Sequence, residues 1–464
     1  MHDDKGLSLR GFLADGEGLG EQYLCGVRDR VRLAELVSGT ILAGRLAELG
    51  GRSVFLKTKD HFSAALALVE LDGVAKRIVL YPPCLTPEHL PQLFSNAEVD
   101  AVVHEEGEDV AAALAVPLRI AYSPLSPSAA PVPSHRYATE WLLLTSGTTG
   151  VPKIVVHTLA SLTDPIKIRR RNDPTVVWGT FYDIRRYGGL QIYLRALRGG
   201  TSLVLSGASE PTSAFLERLR QHAVTHLSGT PSHWRRVLMM PANELPTLRY
   251  LRLSGEIADQ ALLDSLRRTY PHAQLAHAYA STEAGVVFAV EDRLEGFPAS
   301  FLNGVGKGVA MKIEDATLRV RSRRTASKYA GSKEPLLDAD GFVDTGDVVQ
   351  RRGERYYFMG RRGGIVNVGG LKVHPEEVES VINRHPDVRM SLVRARKNPF
   401  TGAVVVADVL LRDQRDAGNR GKDVEREILD ICRGVLPEYK VPALIRFVSS
   451  LDVAESGKLV RPNA

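Results

Sequence analysis

The sequence predicts an α/β protein. A large N-terminal domain holds two α/β subdomains and a small β-rich subdomain, and a small α+β domain follows. Three observations carry this. Short apolar runs suited to strands alternate with segments of helical period from Ser53 to Tyr279, the pattern of a largely parallel sheet covered by helices. Over 305–358 the chain changes to short strands rich in Gly, Arg and Thr. After GRRGG at 360–364 comes a compact run of helix, two strands, long helix and strand. The domains therefore divide as 1–360 and 361–464.

The elements follow in order. Leu33, Leu36, Val37 and Ile41 recur at helical spacing and predict a helix over 31–49, stopped by Gly50 and Gly51. SVFLKT is a strand, and DHFSAALALVELDG a helix capped by Asp60 and ended by Gly73. RIVLYPP, DAVVHE and PLRIAYS are strands, with a Pro-containing helix at 87–95. SPLSPSAAPVPS at 123–134 reads as a linker. TVVWGTFYD and TSLVLSG flank a helix from Tyr187 to Leu197, and HAVTHLSGTPSHW gives a strand and a turn. LRYLRLSGE and AQLAHAYASTEAG flank the helix ADQALLDSLRRTY. In the small domain PEEVESVINRHP is a helix with Pro375 in its first turn, and DVEREILDICRGVL a longer one.

Composition narrows the function. The 464 residues suffice for two or three cores, and 44% hydrophobic with 25% charged residues is ordinary for a soluble chain. A net charge of +6 suits anionic small molecules or an acidic partner. There is no like-charge block long enough for a nucleic-acid arm, and KIRRR at 167–171 fits a surface. MHDDKGLSLR lacks a signal-peptide core, and no apolar run approaches the roughly 18 residues of a membrane span, so a cytoplasmic protein is expected. Cys25, Cys84 and Cys432 are far apart, which argues against a disulfide framework or a zinc site. His226, His233 and His277 are expected to be satisfied structural groups.

The chemistry centres on WLLLTSGTTGVPKIVVHT, residues 141–158, a strand, a loop and a strand. Gly147 and Gly150 let the backbone approach a ligand. Thr145, Ser146, Thr148 and Thr149 supply hydroxyls, and Lys153 a positive charge. Such a loop suits a polyphosphate, although it is not a Walker A loop. Taken alone, a flexible Ser/Thr/Gly surface loop explains it equally well. TSGTTGVPK, however, resembles the phosphate loop of the adenylate-forming superfamily: acyl- and aryl-CoA synthetases, peptide-synthetase adenylation domains and luciferases.

Further stretches match that family in its order, over about residues 30–464. In YASTEAG, Tyr279 to Gly285, the resemblance implies a phosphate contact for Thr282 and a Mg²⁺ ligand in Glu283, with Ala280 where the family has glycine. LSGE implies that Gly255 and Glu256 lie beside the adenine. TGD implies that Asp347 accepts the ribose hydroxyls, next to Arg361. GRRGGIVNVGGLKVHPEEVE resembles the hinge and first strands of a mobile C-terminal domain, with Gly363 as pivot in place of an acidic or lysine hinge. Gly370 falls in the segment that lines the pantetheine tunnel. ESGKLVR resembles the closing motif and implies that Lys458 bridges the substrate carboxylate and the α-phosphate. Arg185, fifteen residues before Gly200, falls where relatives often carry a pocket histidine. It is expected either to line the acyl pocket and select an acid with a second anionic or polar group, or to point to solvent with Arg186.

The implied activity is ATP-dependent activation of a small-molecule carboxylic acid to an acyl-adenylate, then transfer to a thiol, most simply that of coenzyme A. A separate acyl carrier protein or an amine are alternative acceptors. A catalytically inactive nucleotide-binding regulator is the alternative of another class.

Overall fold

In a computed structural model the described residues are 8–14, 19–83, 87–106, 116–128, 137–145, 152–168, 170–305, 308–368, 370–398, 402–413, 420–453 and 458–460. Among them, two sheets build the large domain. One has seven strands, in the order Lys328–Ala330, Ile154–Thr158, Glu140–Leu144, Arg77–Leu80, Ser53–Lys57, Ala101–Glu105 and Leu118–Tyr122. The last five run parallel. The other has eight strands: Gly285–Val290, Gln274–Ser281, Tyr250–Ser254, His226–Gly229, Val177–Thr180, Ser202–Leu205, Tyr23–Cys25 and Arg30–Arg32. Its middle strands are parallel and its two edge strands antiparallel.

Helices His61–Leu71 and Tyr187–Gly199 share one core with residues of both sheets, among them Leu56, Ile78, Trp141, Trp178 and Leu203. A helix buried on nearly every side must be apolar all round, and HFSAALALVEL is. Its Asp60 cap accepts from Ser63 N, as the sequence predicts. Its one acid, Glu70, is buried beside Arg10 at 3.5 Å.

The predicted helix over 31–49 does not form. Strand Arg30–Arg32, a single turn Glu35–Ser38, strand Gly39–Thr40 and a 3₁₀ turn Arg45–Leu49 replace it. Gly44 sits at φ +80°, a left-handed conformation that ends any helix, and the β-branched run around Thr40 and Ile41 favours extended backbone. The predicted apolar stripe is nonetheless the buried one, Leu33, Leu36 and Ile41. Arg10 donates to Val37 O and Gly39 O, carbonyls that the broken helix leaves without a partner. Part of the predicted linker, Ser126–Pro127, pairs with Gly39–Thr40. The predicted turn after strand His226–Gly229 is a helix, Pro231–Val237, opened by a Thr230–His233 capping box.

A five-stranded antiparallel sheet forms the β-rich subdomain and ends with Arg355–Arg361. The small domain has its own core. Strands Val388–Asn398, Gly402–Leu411 and Leu444–Phe447 carry helices Pro375–Ile382 and Gly421–Val435, with Cys432 buried among them. Cys25 is buried beside His222, at 3.4 Å, and Cys84 lies outside the described residues. Among the described residues no helix is long and apolar enough to cross a membrane.

Candidate nucleotide and acid site

Strands Gln274–Ser281 and Gly285–Val290 are antiparallel, and the turn between them carries Thr282 and Glu283. This is a hairpin tip, not the start of a helix. A Cβ at Gly285 would meet Arg324 O at 2.5 Å, so only glycine closes the turn. Two bonds fix its backbone. His157 Nε2–H donates to Thr282 O at 2.6 Å, and Ala326 N to Glu283 O at 2.9 Å. A carbonyl only accepts, so the tautomer of His157 is set. Burial pushes its pKa down to about 4, and it stays neutral. Thr282 and Glu283 are thus held from behind. The Glu283 carboxylate has no hydrogen bond or ion pair among the described residues, though Arg361 and Tyr329 lie within electrostatic reach.

Asp347 stands opposite, in strand Val343–Arg352. Tyr279 Oη donates to its Oδ2 at 2.6 Å and Arg361 Nε to its Oδ1 at 3.2 Å. Tyr279 is wedged between Phe288 and Phe358, with centroids at 5.4 and 4.7 Å, which fixes where its hydroxyl points. Asp347 is 15% exposed, so the carboxylate is oriented yet reachable.

Lys458 closes the site from the small domain. Gly255 has φ +89°, and a Cβ there would come 3.4 Å from Lys458 Cε. The neighbouring Glu256 accepts from Ser232 N at 2.8 Å, from Ser232 Oγ at 3.0 Å and from Leu459 N at 3.1 Å. Glu256 therefore ties the residue after Lys458 to the large domain. Burial and Arg361 lower the Lys458 pKa, with Arg186 in the same sense, while Glu256 and Asp347 oppose them. A lysine among two arginines and two carboxylates is electrostatically ready for an anion.

Other predicted residues fall differently. Thr145 N donates to Lys153 O at 3.0 Å and closes the strand pair behind the Gly-rich loop. Ser146, Gly147, Thr148, Thr149 and Gly150 lie outside the described residues. Lys153 Nζ is 2.8 Å from Glu334 and 4.9 Å over the Tyr329 ring, an exposed ion pair at the foot of the loop. Gly363 and Gly364 have open space around them, and Gly370 takes φ +88° in the turn between Val366–Val368 and Leu371–Val373. Arg185 corrects both of its expectations. It is 1% exposed, its Nε and Nη2 donate to Asp183 at 2.9 and 3.0 Å, and Nη1 donates to Thr58 O. Neither a pocket fork nor a solvent-facing residue, it ties two elements of the core together. The three histidines are partnered: His226 with Thr225 Oγ1, His233 with Thr230, and His277 with Leu294 O.

Sequence reasoning missed His157, Ser232 and Arg186. His157 belongs to a strand and touches Thr282 only through the fold. The run Thr230-Pro231-Ser232 carries a legible helix-start signal that would have placed Ser232 N–H at a helix N-terminus.

Among the described residues no group of three or more His, Cys, Asp or Glu could hold a metal by itself. Mg²⁺ on a nucleotide needs only one or two carboxylates plus the phosphates. The free carboxylate of Glu283 fits that use.

The large two-sheet domain, the small C-terminal domain and a lysine within electrostatic reach of an oriented Asp–Tyr–Arg cluster are the features that the comparisons with known proteins address. The chain belongs to the AMP-binding enzyme family: residues 45–324 match AMP-binding enzymes and 377–458 the AMP-binding enzyme C-terminal domain. It is 28% identical over 360 residues to the 2-methylpropanoate–CoA ligase of Humulus lupulus, covering 69% of this chain and 63% of that enzyme. The match thus spans less than two thirds of that relative. Identity to the 2-succinylbenzoate–CoA ligase of Bacillus pumilus (strain SAFR-032) is 27% over 348 residues, 70% of this chain and 68% of that one. Among solved structures, the amide bond synthetase of Marinactinospora thermotolerans superposes with TM-score 0.76 at 23% identity, covering 98% of both chains. ATP-bound MatB of Rhodopseudomonas palustris superposes with TM-score 0.78 at 21% identity, covering 97% of both. These two similarities establish the fold.

Proposed function

We propose that this chain activates a small carboxylic acid with ATP and passes the acyl group to a thiol, most simply coenzyme A. The observation that carries the reading is Lys458 against Gly255, within electrostatic reach of Asp347 and Arg361, with Glu283 in reach of the same Arg361. An ammonium and two carboxylates from three parts of the chain thus gather around one guanidinium.

In the first step a carboxylate oxygen attacks the α-phosphorus of ATP, and the bond to pyrophosphate breaks. Lys458 draws the acid and the α-phosphate together and offsets the charge gathering between them. Asp347, held by Tyr279 and Arg361, accepts the ribose hydroxyls. Thr282, its peptide clamped by His157, presents its hydroxyl to a phosphate. Glu283 would hold Mg²⁺, which would supply neutralisation of charge on the departing pyrophosphate. In the second step a thiol sulfur attacks the acyl carbon and AMP leaves. The small domain turns about Gly363 and Gly364 to bring the Gly370 turn to the site. The names of the relatives, coenzyme A ligases, support that acceptor. A cytoplasmic setting fits the soluble substrates.

ATP–pyrophosphate exchange over a carboxylic-acid panel tests the first step, and thioester formation with coenzyme A tests the second. Exchange with some acid is expected. Its absence with every acid overturns the reading and favours a regulator. Exchange without thioester, but with an amide from an added amine, moves the acceptor to nitrogen.

A further inference from the structure

The face of the eight-stranded sheet turned toward helix Tyr187–Gly199 carries charge that the adenylation chemistry above does not use. Across three adjacent strands Trp178, His226 and Tyr250 share one register row, with ring centroids 4.9, 5.6 and 5.9 Å apart. Two residues on, the same face carries Thr180, Ser228, Arg252 and Ala276. Next come Ser254 and Ala278, and then Gly255, where Lys458 sits.

Strand Tyr250–Ser254 lies inside the sheet. Leu251 and Leu253 on its other face are fully buried, yet Tyr250, Arg252 and Ser254 are each partly exposed. A central strand beneath a helix keeps such exposure only where the layer is not filled. Small neighbours, Ser228, Ala276 and Ala278, leave room on either side of the arginine.

Arg252 Nη1 donates to Tyr250 Oη at 3.4 Å. From the helix, Arg195 reaches over Trp178, 5.8 Å from the ring centroid. Burial, and then the charge of Arg252, lower the Arg195 pKa to about 10. Among the described residues neither guanidinium has a carboxylate within ion-pair distance. Arg10, Arg185 and Arg218, by contrast, are closed by acids: Arg10 by Glu70, Arg185 by Asp183, Arg218 by Glu210. Two facing guanidiniums without an anion are costly to keep. Beside them the Ser228 hydroxyl, 1% exposed, has no hydrogen-bond partner of ordinary geometry, although the Tyr182 hydroxyl is near. Two cations without an acid thus meet on one face of the sheet.

We propose that Arg195 and Arg252 form the far end of the acid channel, and that the activated substrate is a dicarboxylic acid whose second carboxylate they bind. The proposal rests on the acid-activating reading above. A planar guanidinium fork matches a carboxylate bidentately. Three residues of strand separate Arg252 from Gly255, about 10 Å, which sets the two carboxylates roughly 8–10 Å apart, a chain of about seven to nine carbons at the ~1.25 Å that each ~1.5 Å bond of a staggered chain advances.

The test pairs exchange kinetics with binding. ATP–pyrophosphate exchange is measured with α,ω-dicarboxylates of about six to ten carbons and with monocarboxylates of equal length, in wild type, Arg252→Gln, Arg195→Gln and Arg252→Lys. Titration calorimetry follows the same diacids without ATP, and circular dichroism checks each fold. In wild type the best diacid is expected to exceed its matched monoacid at least ~10-fold in kcat/KM, and either Gln variant to cut that ratio ~10-fold or more, with Arg252→Lys keeping part of it. Equal use of monoacids by wild type, or a ratio unmoved by both Gln variants, overturns the proposal. If no acid supports exchange but a diacid still binds wild type ~10-fold tighter than folded Arg252→Gln, the acid-activating reading fails and the anion site stands. Diacid binding that ignores both arginines sinks the site, whatever exchange shows.

Discussion

Arg185 and Arg195 flank and occupy the same stretch of chain, one just before helix Tyr187–Gly199 and one inside it, and they do opposite things. Arg185 is closed on Asp183 and Thr58. Arg195 faces Arg252 and an aromatic ring, with no acid in ion-pair reach among the described residues. Identical side chains thus separate by their partners alone. A charge that the protein closes holds the fold, and a charge that it leaves open awaits something else. Glu283 and Lys458 belong with the open charges. Asp347 stands between, closed by Tyr279 and Arg361 yet still reachable.

This contrast can be broken at several points, from the largest effect downward. Asp183→Ala should remove the acid that closes Arg185 and strand a buried guanidinium, at a cost of about 3–5 kcal/mol in urea unfolding. A variant as stable as wild type would show that Arg185 is not held by that pair. Lys458→Ala should leave stability within about 0.5 kcal/mol of wild type but lower exchange by roughly 10²-fold or more, because a charge-stabilising donor is gone. Wild-type exchange would place the catalytic lysine elsewhere. Asp347→Ala should raise the KM for ATP far more than that for the acid, by the equivalent of about 1.5–3 kcal/mol. Equal changes in both constants would mark Asp347 as structural only.

The shallowest test is pH. Burial lowers His157 to about 4 and His233 to about 3. The unfolded chain therefore binds protons that the native one refuses, and stability falls as pH drops from about 6.5 toward 4. Asp72, buried under Leu9 N and Trp141 Nε1, is raised to about 7. Its contribution has the opposite sign, present below about pH 4 and lost as pH climbs to 7. Asp72→Asn removes that opposing slope, so its urea midpoint should drop more steeply than wild type between pH 7 and pH 5. Parallel slopes would show that Asp72 does not titrate in this range.

Much of this was legible because it is local. Asp60 before an apolar helix, Pro375 in a first turn, and apolar runs in the parallel strands are short-range signals, and the structure has them all. The stretch 31–49 misled because its apolar period survives a break: Leu33 and Ile41, each just past a short strand, and Leu36, in a single helical turn, reach the core as well as they would from one helix. Arg185 misled for a related reason. Its register before Gly200 is a one-dimensional fact, whereas its partner Thr58 lies 127 residues away. The clamp of His157 on Thr282 spans 125 residues, and the Arg195–Arg252 meeting exists only once a helix is laid on a sheet. Sequence shows which charges exist, and the fold decides which of them are closed.

The Glu256 carboxylate has a thermodynamic consequence of its own. It is bonded on both sides of the domain boundary, to Ser232 in the large domain and to Leu459 in the small one. Were the small domain to move away, only the Leu459 bond would break, and Ser232 would keep the anion satisfied. At this point the closed arrangement is favoured over the open one by about one charge-assisted bond, on the order of 1.5–3 kcal/mol, a population ratio of roughly 10 to 150. A bond of that size is a detent, strong enough to define a resting position and weak enough to be crossed thermally. Glu256→Gln should soften it, read as a broader spread of distances between spin labels on the two domains. An unchanged spread would mean that the resting position is set by other contacts.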